Sequence, residues 1–218
     1  MKIVFAPNAF KGCLTASQTG RALERGFLQI LPDAKTLIVP MADGGDGLLE
    51  VALDALDGKE IKTTVHGPLG ASTQASFFLD ETQNMAAIEM ALASGIALLS
   101  NSDLNPMKAS TYGTGQLIKT AMDNGAKHIA VGLGGSASND GGMGMASALG
   151  VKFLDVAGQE LEASGEALSL IDAIDATDID PRLKDVHIEA VSDVSNPLSG
   201  PEAASAMYVP QKRADNET

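Results

Sequence analysis

Tryptophan is absent from this 218-residue chain, and aromatic side chains make up only 4% of it. The core must therefore be built from Val, Ile, Leu, Ala and Met, within a hydrophobic content of 44%. Cysteine is represented by Cys13 alone, which excludes an internal disulfide and suits a reducing cytosol. Positive charge is scarce: 15 Lys and Arg face 28 Asp and Glu, for a formal net charge of -13 and a pI of about 4.5. Binding to nucleic acid rests on Lys and Arg neutralising phosphates, so this balance argues against such a partner. It argues equally against an anionic membrane surface. A small anionic substrate stays open, because local cations outweigh global charge. No apolar run approaches the roughly 18 residues of a membrane helix. The start, Met1 to Pro7, is too short and too soon broken for a signal peptide, so the expected location is the cytoplasm. There is no G-x-x-x-x-G-K-[ST] loop, no protein-kinase signature and no Cys/His cluster of zinc spacing. Ser, His and Asp are too dispersed for a triad.

What the chain does have is glycine, 23 residues gathered at a few loops, as tight turns and close backbone approaches require. Between those loops, the apolar run Ile3–Ala6 predicts a buried strand ended by Pro7. Thr15-Ala16-Ser17-Gln18 fits a capping box ahead of a helix carrying Leu23, Phe27, Ile30 and Leu31. Thr36–Val39 reads as a second strand, followed by a helix with Asp46 as N-cap, a core face of Leu49, Leu53 and Leu56, and Gly58 at its end. Strand, helix, strand, helix with apolar strands predicts a parallel sheet covered on both faces. After Lys59 the texture changes: 61–66, 73–79 and 85–89 read as shorter strands that form an antiparallel piece. A helix over 111–124, a strand over 127–131, a short helix over 142–149 and strands over 151–154 and 186–191 follow. The expected fold class is α/β with two domains. Residues 1–65 supply part of a mostly parallel, Rossmann- or flavodoxin-like sheet domain, 66–212 form a second mixed α/β domain, and 213–218 are a disordered tail.

Loops that follow strands are where open α/β sheets bind ligands. The first, Pro7–Gly12, offers Lys11 beside the N-terminus of a helix, a pairing that suits an anion. The second, Met41–Gly47, sets Asp43 and Asp46 among three glycines. There Asp43 is a candidate to hold a metal or accept a hydroxyl hydrogen bond. The third, Gly132–Gly144, is a run of small residues able to form a nest of N–H groups for phosphate oxygens. Asp140 within it is a candidate Mg²⁺ ligand, since Mg²⁺ prefers oxygen donors and substrate phosphates. Thr114, in Ser110–Gly115 ahead of a helix, is a capping residue first and a phosphate contact second. Asp193, in Ser192–Pro197, is placed as a strand-end catalytic acid.

One alternative is a dinucleotide fingerprint. Gly132-Leu133-Gly134-Gly135-Ser136-Ala137 matches G-x-G-x-x-A after a strand, with Asp155 at the end of the next one. That would make the chain a nicotinamide-dependent oxidoreductase. Against it, Asn139–Gly142 prolongs the loop and leaves a very short helix.

Taken together, Ala6–Gly12, Pro40–Gly47, Gly67–Gly70, Ser110–Gly115, Gly134–Gly142, Ser192–Leu198 and Pro210–Lys212 resemble the bacterial-type glycerate kinase family, in joint order and spacing. The resemblance implies a two-domain α/β enzyme, active in its cleft, that phosphorylates glycerate from Mg·ATP to 2-phosphoglycerate or 3-phosphoglycerate. In the roles it suggests, Lys11 contacts a phosphate or the glycerate carboxylate, and Gly134, Gly135, Ser136, Asn139, Asp140, Thr114 and Asn196 hold the nucleotide. Asp140 or Asp193 coordinates Mg²⁺, and Asp193 or Asp43 takes the proton of the attacking hydroxyl. Asn8-Ala9 stands where the family often has Asp-Ser, and Asp46 where it often has Glu. Family members also continue well past Pro-Gln-Lys with a part that completes the first sheet. The resemblance therefore implies a truncated chain whose first sheet lacks strands, exposes an apolar edge and is unstable alone, with weak or no activity. A non-catalytic fragment is the third reading.

Overall fold

Thr15 and Gln18 start the first helix as their spacing predicts. In a computed structural model, which describes residues 1–10, 13–198 and 200–212, helix α1 spans Ala16–Leu28. The Gln18 N–H donates to Thr15 Oγ1 at 3.2 Å and the Thr15 N–H donates to Gln18 Oε1 at 3.1 Å, closing the box. The helix stops before Ile30 and Leu31, whose N–H groups turn back to the Phe27 carbonyl. It joins β1 (Lys2–Phe5) to β2 (Lys35–Ile38), which pair in parallel. Phe27 packs edge-on to Phe5 at 5.9 Å between ring centroids.

This two-stranded sheet departs from expectation in one respect. None of its residues is buried, and Val4, Leu37 and Val39 are exposed. The second helix, α2 (Leu48–Ala55), does not cover it. Instead Leu49 and Ala52 pack against Phe78, Ala87 and Met85 of a different sheet. Only part of the expected core face is used, so Leu53 and Leu56 stay exposed. Gly58 lies hard against that sheet: a Cβ there would sit 2.4 Å from the Phe78 ring.

That second sheet has five strands in the order β3-β4-β5-β6-β9. Strands β3 (Lys59–His66), β4 (Ser72–Asp80) and β5 (Met85–Glu89) form an antiparallel meander. Strands β6 (His128–Gly132) and β9 (His187–Val191) then add in parallel to β5. Because β3 pairs with β4 along its whole length, the sheet begins at Lys59, ahead of the expected boundary at 65/66. Side chains alternate across β4: Phe77 and Leu79 face one way, Phe78 the other. Phe77 and Leu79 join Ile88, Ile129, Leu117 and Ile118 in the main core, roofed by α4 (Tyr112–Asp123). Cover on both faces, by α4 on one and α2 on the other, explains why Phe77–Leu79 and Ala86–Ile88 are buried without alternation, while β3 and β9 stay largely exposed. A short helix α3 (Ala91–Ser94) follows β5. Helix α5 (Met143–Ala148) and the antiparallel pair β7 (Lys152–Leu154) and β8 (Ala173–Asp175) make a smaller cluster around Phe153. Helix α6 (Ala204–Tyr208) and a turn over 209–212 end the described chain, and the tail expected to be disordered lies outside the described residues. No described helix is long and apolar enough to cross a membrane.

Candidate active site

The parallel register of β5, β6 and β9 sends their carboxyl ends to one edge of the sheet, and glycines let the loops there touch main chain to main chain. The Gly134 N–H donates to the Gly44 carbonyl at 2.9 Å, and the Leu133 N–H to the Val191 carbonyl at 3.1 Å. The Met90 N–H donates to the Gly132 carbonyl at 3.1 Å, and the Ile96 N–H to the Gly135 carbonyl at 2.8 Å. A Cβ on Gly44, whose φ is +88°, would lie 2.2 Å from the Val191 carbonyl oxygen; one on Gly134 would lie 2.4 Å from the Gly45 Cα. The loops after β2, β5, β6 and β9 therefore form one rim, carrying Asp43, Gly134, Gly135, Ser136 and Asp193.

Asp43 is exposed on that rim and held from two sides. Its Oδ2 accepts from Asn8 Nδ2 at 2.8 Å and its Oδ1 from the Gly45 N–H at 3.0 Å. Asn8, set where the family often has an acid, thus ties the first loop to the second. Asp193 is exposed just beyond β9. Lys11 lies outside the described residues.

Asp46 does not cap α2. The N-cap is Gly47, with φ +97°, and the capping acceptor is Glu89, at the end of β5. Glu89 Oε2 accepts from the Gly47 N–H at 3.2 Å and the Leu49 N–H at 3.3 Å. Burial pushes the Glu89 carboxyl above its usual range; the bonds from Leu49 and Gly47 oppose this, and the negative charge of Asp46 adds to it.

Asp140 is only 1% exposed and is already spoken for. Its Oδ2 accepts from the Thr111 N–H at 2.8 Å, Thr111 Oγ1 at 2.7 Å and the Gly144 N–H at 3.0 Å, and its Oδ1 from the Gly142 N–H at 3.2 Å. A carboxylate offers roughly four lone-pair sites, so this group clasps the starts of α4 and α5 together with little acceptor capacity left for an ion. Among the described residues no three His, Cys, Asp or Glu side chains cluster in a metal-binding arrangement.

Thr114 is buried inside α4, its hydroxyl 2.9 Å from Ser94 Oγ, so packing rather than the rim claims it. Asn196 folds its own segment: Nδ2 donates to the Glu202 carbonyl at 3.0 Å and Oδ1 accepts from the Tyr208 hydroxyl at 3.2 Å. Asn139 Oδ1 accepts from Ser205 Oγ at 2.9 Å. The main chain of this loop is different. Among the described residues, the N–H groups of Ser138, Asn139, Asp140 and Gly141 donate to no protein acceptor. Lys212, from the end of the described chain, reaches back to the loop, its Nζ donating to Ser136 Oγ at 2.9 Å and the Ser138 carbonyl at 2.5 Å.

The dinucleotide reading fails on geometry. The next helix starts only at Met143, well past the loop. Asp155 closes its own turn, accepting from Ala157 and Gln159, and lies after β7, which pairs antiparallel with β8 and not with β6. Two concave regions lie off the rim: one of about 550 Å³ includes Lys119 and Arg182, and one of about 380 Å³ lies between α2 and Glu89. Neither is lined by Asp43, Asp140 or Asp193: Asp43 and Asp193 are exposed on the rim loops and Asp140 is buried beneath Thr111 and Gly144.

The profile of the glycerate kinase family matches residues 3–218. This chain belongs to the glycerate kinase family. It is 45% identical over 214 residues to a glycerate kinase of Bacillus subtilis and to a glycerate 2-kinase of Escherichia coli, covering 98% of this chain and 56% of each relative. Identity is 46% over 217 residues to a glycerate kinase of Haemophilus influenzae, covering 100% of this chain and 57% of that one. A crystal structure of a protein from Salmonella typhimurium LT2, proposed to be glycerate kinase 2, superposes with a TM-score of 0.87 at 44% identity, over 100% of this chain and 59% of that one. The chain thus spans little more than half the length of these glycerate kinase relatives.

Sequence reasoning gave Asn8 and Lys212 only as members of motifs, without these contacts, and missed Glu89. Glu89 left one trace: a lone acid at the carboxyl end of an otherwise apolar strand.

Proposed function

We propose that the chain carries phosphoryl-transfer chemistry on glycerate, with Mg·ATP as donor and 2-phosphoglycerate as product. One observation carries this reading: close main-chain contacts at Gly44 and Gly134 join the loops that bear the exposed Asp43 and Asp193 to the 132–144 loop, in which, among the described residues, the N–H groups of Ser138 to Gly141 donate to no protein acceptor. Such a nest suits phosphate oxygens. Phosphoryl transfer asks a protein mainly for positioning and for neutralisation of charge. Mg²⁺ is held by one or two carboxylates plus substrate phosphates, and Asp43 and Asp193 are the exposed carboxylates this reading offers it. In this reading Asp193 and Asp43 share the metal and proton roles, Asp140 keeps the turn in place, and Lys11 meets an anionic group of either substrate. When bound, Mg·ATP supplies the transferable phosphoryl group. The choice of the 2-hydroxyl leans on the Escherichia coli relative's name. A cytoplasmic setting fits the single exposed Cys13.

The test is ³¹P NMR of the chain incubated with glycerate and Mg·ATP, with Asp193→Ala and Asp43→Ala in parallel. The expected result is a weak 2-phosphoglycerate signal with equimolar ADP. Loss of a general base slows turnover by about 10²–10⁴-fold, so one or both variants fall in that range. A chain that forms no phosphoglycerate, or two variants that turn over like the parent, overturns the proposal.

A further inference from the structure

We infer that Lys212 is the phosphate-binding cation of the 134–142 turn, a step that rests on the kinase reading and gives that site a specific positive charge. The argument begins with what surrounds the ammonium. Lys212 is 9% exposed, an unusual depth for a lysine. Its Nζ donates to a hydroxyl and a carbonyl, Ser136 Oγ and the Ser138 oxygen, and no carboxylate forms an ion pair with it among the described residues. The acid that acts on it is Asp140, whose oxygens are engaged by Thr111, Gly142 and Gly144. An ammonium has three donors, so one is left over.

A buried charge without a counter-ion is costly. Here the same turn holds the N–H groups of Ser138 to Gly141, which among the described residues also lack acceptors. A cation and a run of backbone donors face the same shortage, and one group relieves both: an anion with several oxygens. A phosphoryl chain has that chemistry. Burial holds the Lys212 ammonium below its usual range, with Asp140 opposing; an arriving phosphate acts in the same direction as Asp140. The described residues 196–198 and 200–212 deliver the side chain. They fold on themselves through Asn196, Glu202 and Tyr208 and dock on the turn through Ser205 and Asn139.

The experiment is calorimetric titration of the chain with Mg·ATP, tripolyphosphate, adenosine and glycerate, on the parent, Lys212→Met and Lys212→Arg. Removing a charge-assisted contact is expected to weaken tripolyphosphate and Mg·ATP by about tenfold or more, with adenosine and glycerate unchanged and the arginine variant largely rescued. Equal losses for adenosine and tripolyphosphate mean that Lys212 only supports the fold, and overturn the inference. So does a methionine variant that binds tripolyphosphate like the parent, or a loss confined to glycerate. If Lys212→Met does not fold, acylation of Lys212 in the parent is followed by mass spectrometry. Slowing by bound tripolyphosphate supports the site, and an unchanged rate under saturating tripolyphosphate overturns it. Lys212-dependent binding of tripolyphosphate without phosphoglycerate formation leaves the anion site standing and removes the kinase reading instead.

Discussion

Replacing Asp140 separates two roles that its sequence position leaves open, metal ligand and main-chain clasp. In the structure the carboxylate is buried and accepts from Thr111 twice, from Gly144 and from Gly142. Asp140→Ala leaves these donors without acceptors. Three of the bonds are 3.0 Å or shorter. At about 1–2 kcal/mol for each of these, with some water entering the gap, the expected loss is about 3–5 kcal/mol. Asp140→Asn keeps an oxygen for the Thr111 pair but turns an amide N–H₂ toward the Gly142 N–H, so a smaller loss of about 1–2 kcal/mol is expected. The exposed Asp43, which holds two donors at the surface, provides the contrast: Asp43→Ala is expected to cost under about 1 kcal/mol. Urea unfolding followed by far-UV circular dichroism measures all three. Unchanged midpoints in both Asp140 variants, with Mg·ATP binding abolished, would refute the clasp and return Asp140 to the metal.

Two further outcomes follow from the rim. Gly134→Ala forces a Cβ to within 2.4 Å of the Gly45 Cα and is expected to lose about 1–3 kcal/mol; Gly26→Ala, in α1 with nothing within 4 Å, is expected to gain about 0.5–1 kcal/mol in the same urea assay. Glu89 has a folded pKa raised above the ordinary 4.5, so its contribution is fully present below that value and is lost as pH rises through the folded one. Glu89→Gln keeps an acceptor for Gly47 and Leu49 without the charge, so relative to the parent it gains stability as pH goes from 4 to 7; parallel pH profiles for the two proteins would contradict this.

Features set by near neighbours were legible in the sequence. The Thr15–Gln18 box reads correctly because both partners lie within one turn. The loops that meet at the rim were legible because glycine clusters follow apolar runs. What escaped was decided at long range. Asp46 looks like an N-cap until Glu89, from another strand, arrives to accept from Gly47 and Leu49. Leu53 and Leu56 look like core until the helix packs on β4 and β5 through Leu49 and Ala52. Thr114 sits in a motif suited to phosphate, yet Ser94 and the main core claim it. The clasp made by Asp140 was not legible, since its four donors come from two helix starts that no local pattern links. Lys212 was legible only as the end of the Pro210–Lys212 motif, and nothing local sets its side chain against Ser136 and Ser138.

The order of strands has a kinetic side. The β3-β4-β5 meander closes through short turns and is expected to form early, because short loops lose little entropy on closure. Strand β9 must wait: it pairs with β6 only after the chain has passed through α5, β7 and β8. Asp193 rides on that last strand, so the rim gains its second acid at the slowest pairing event. A nascent chain therefore acquires most of its core before Asp193 joins the rim.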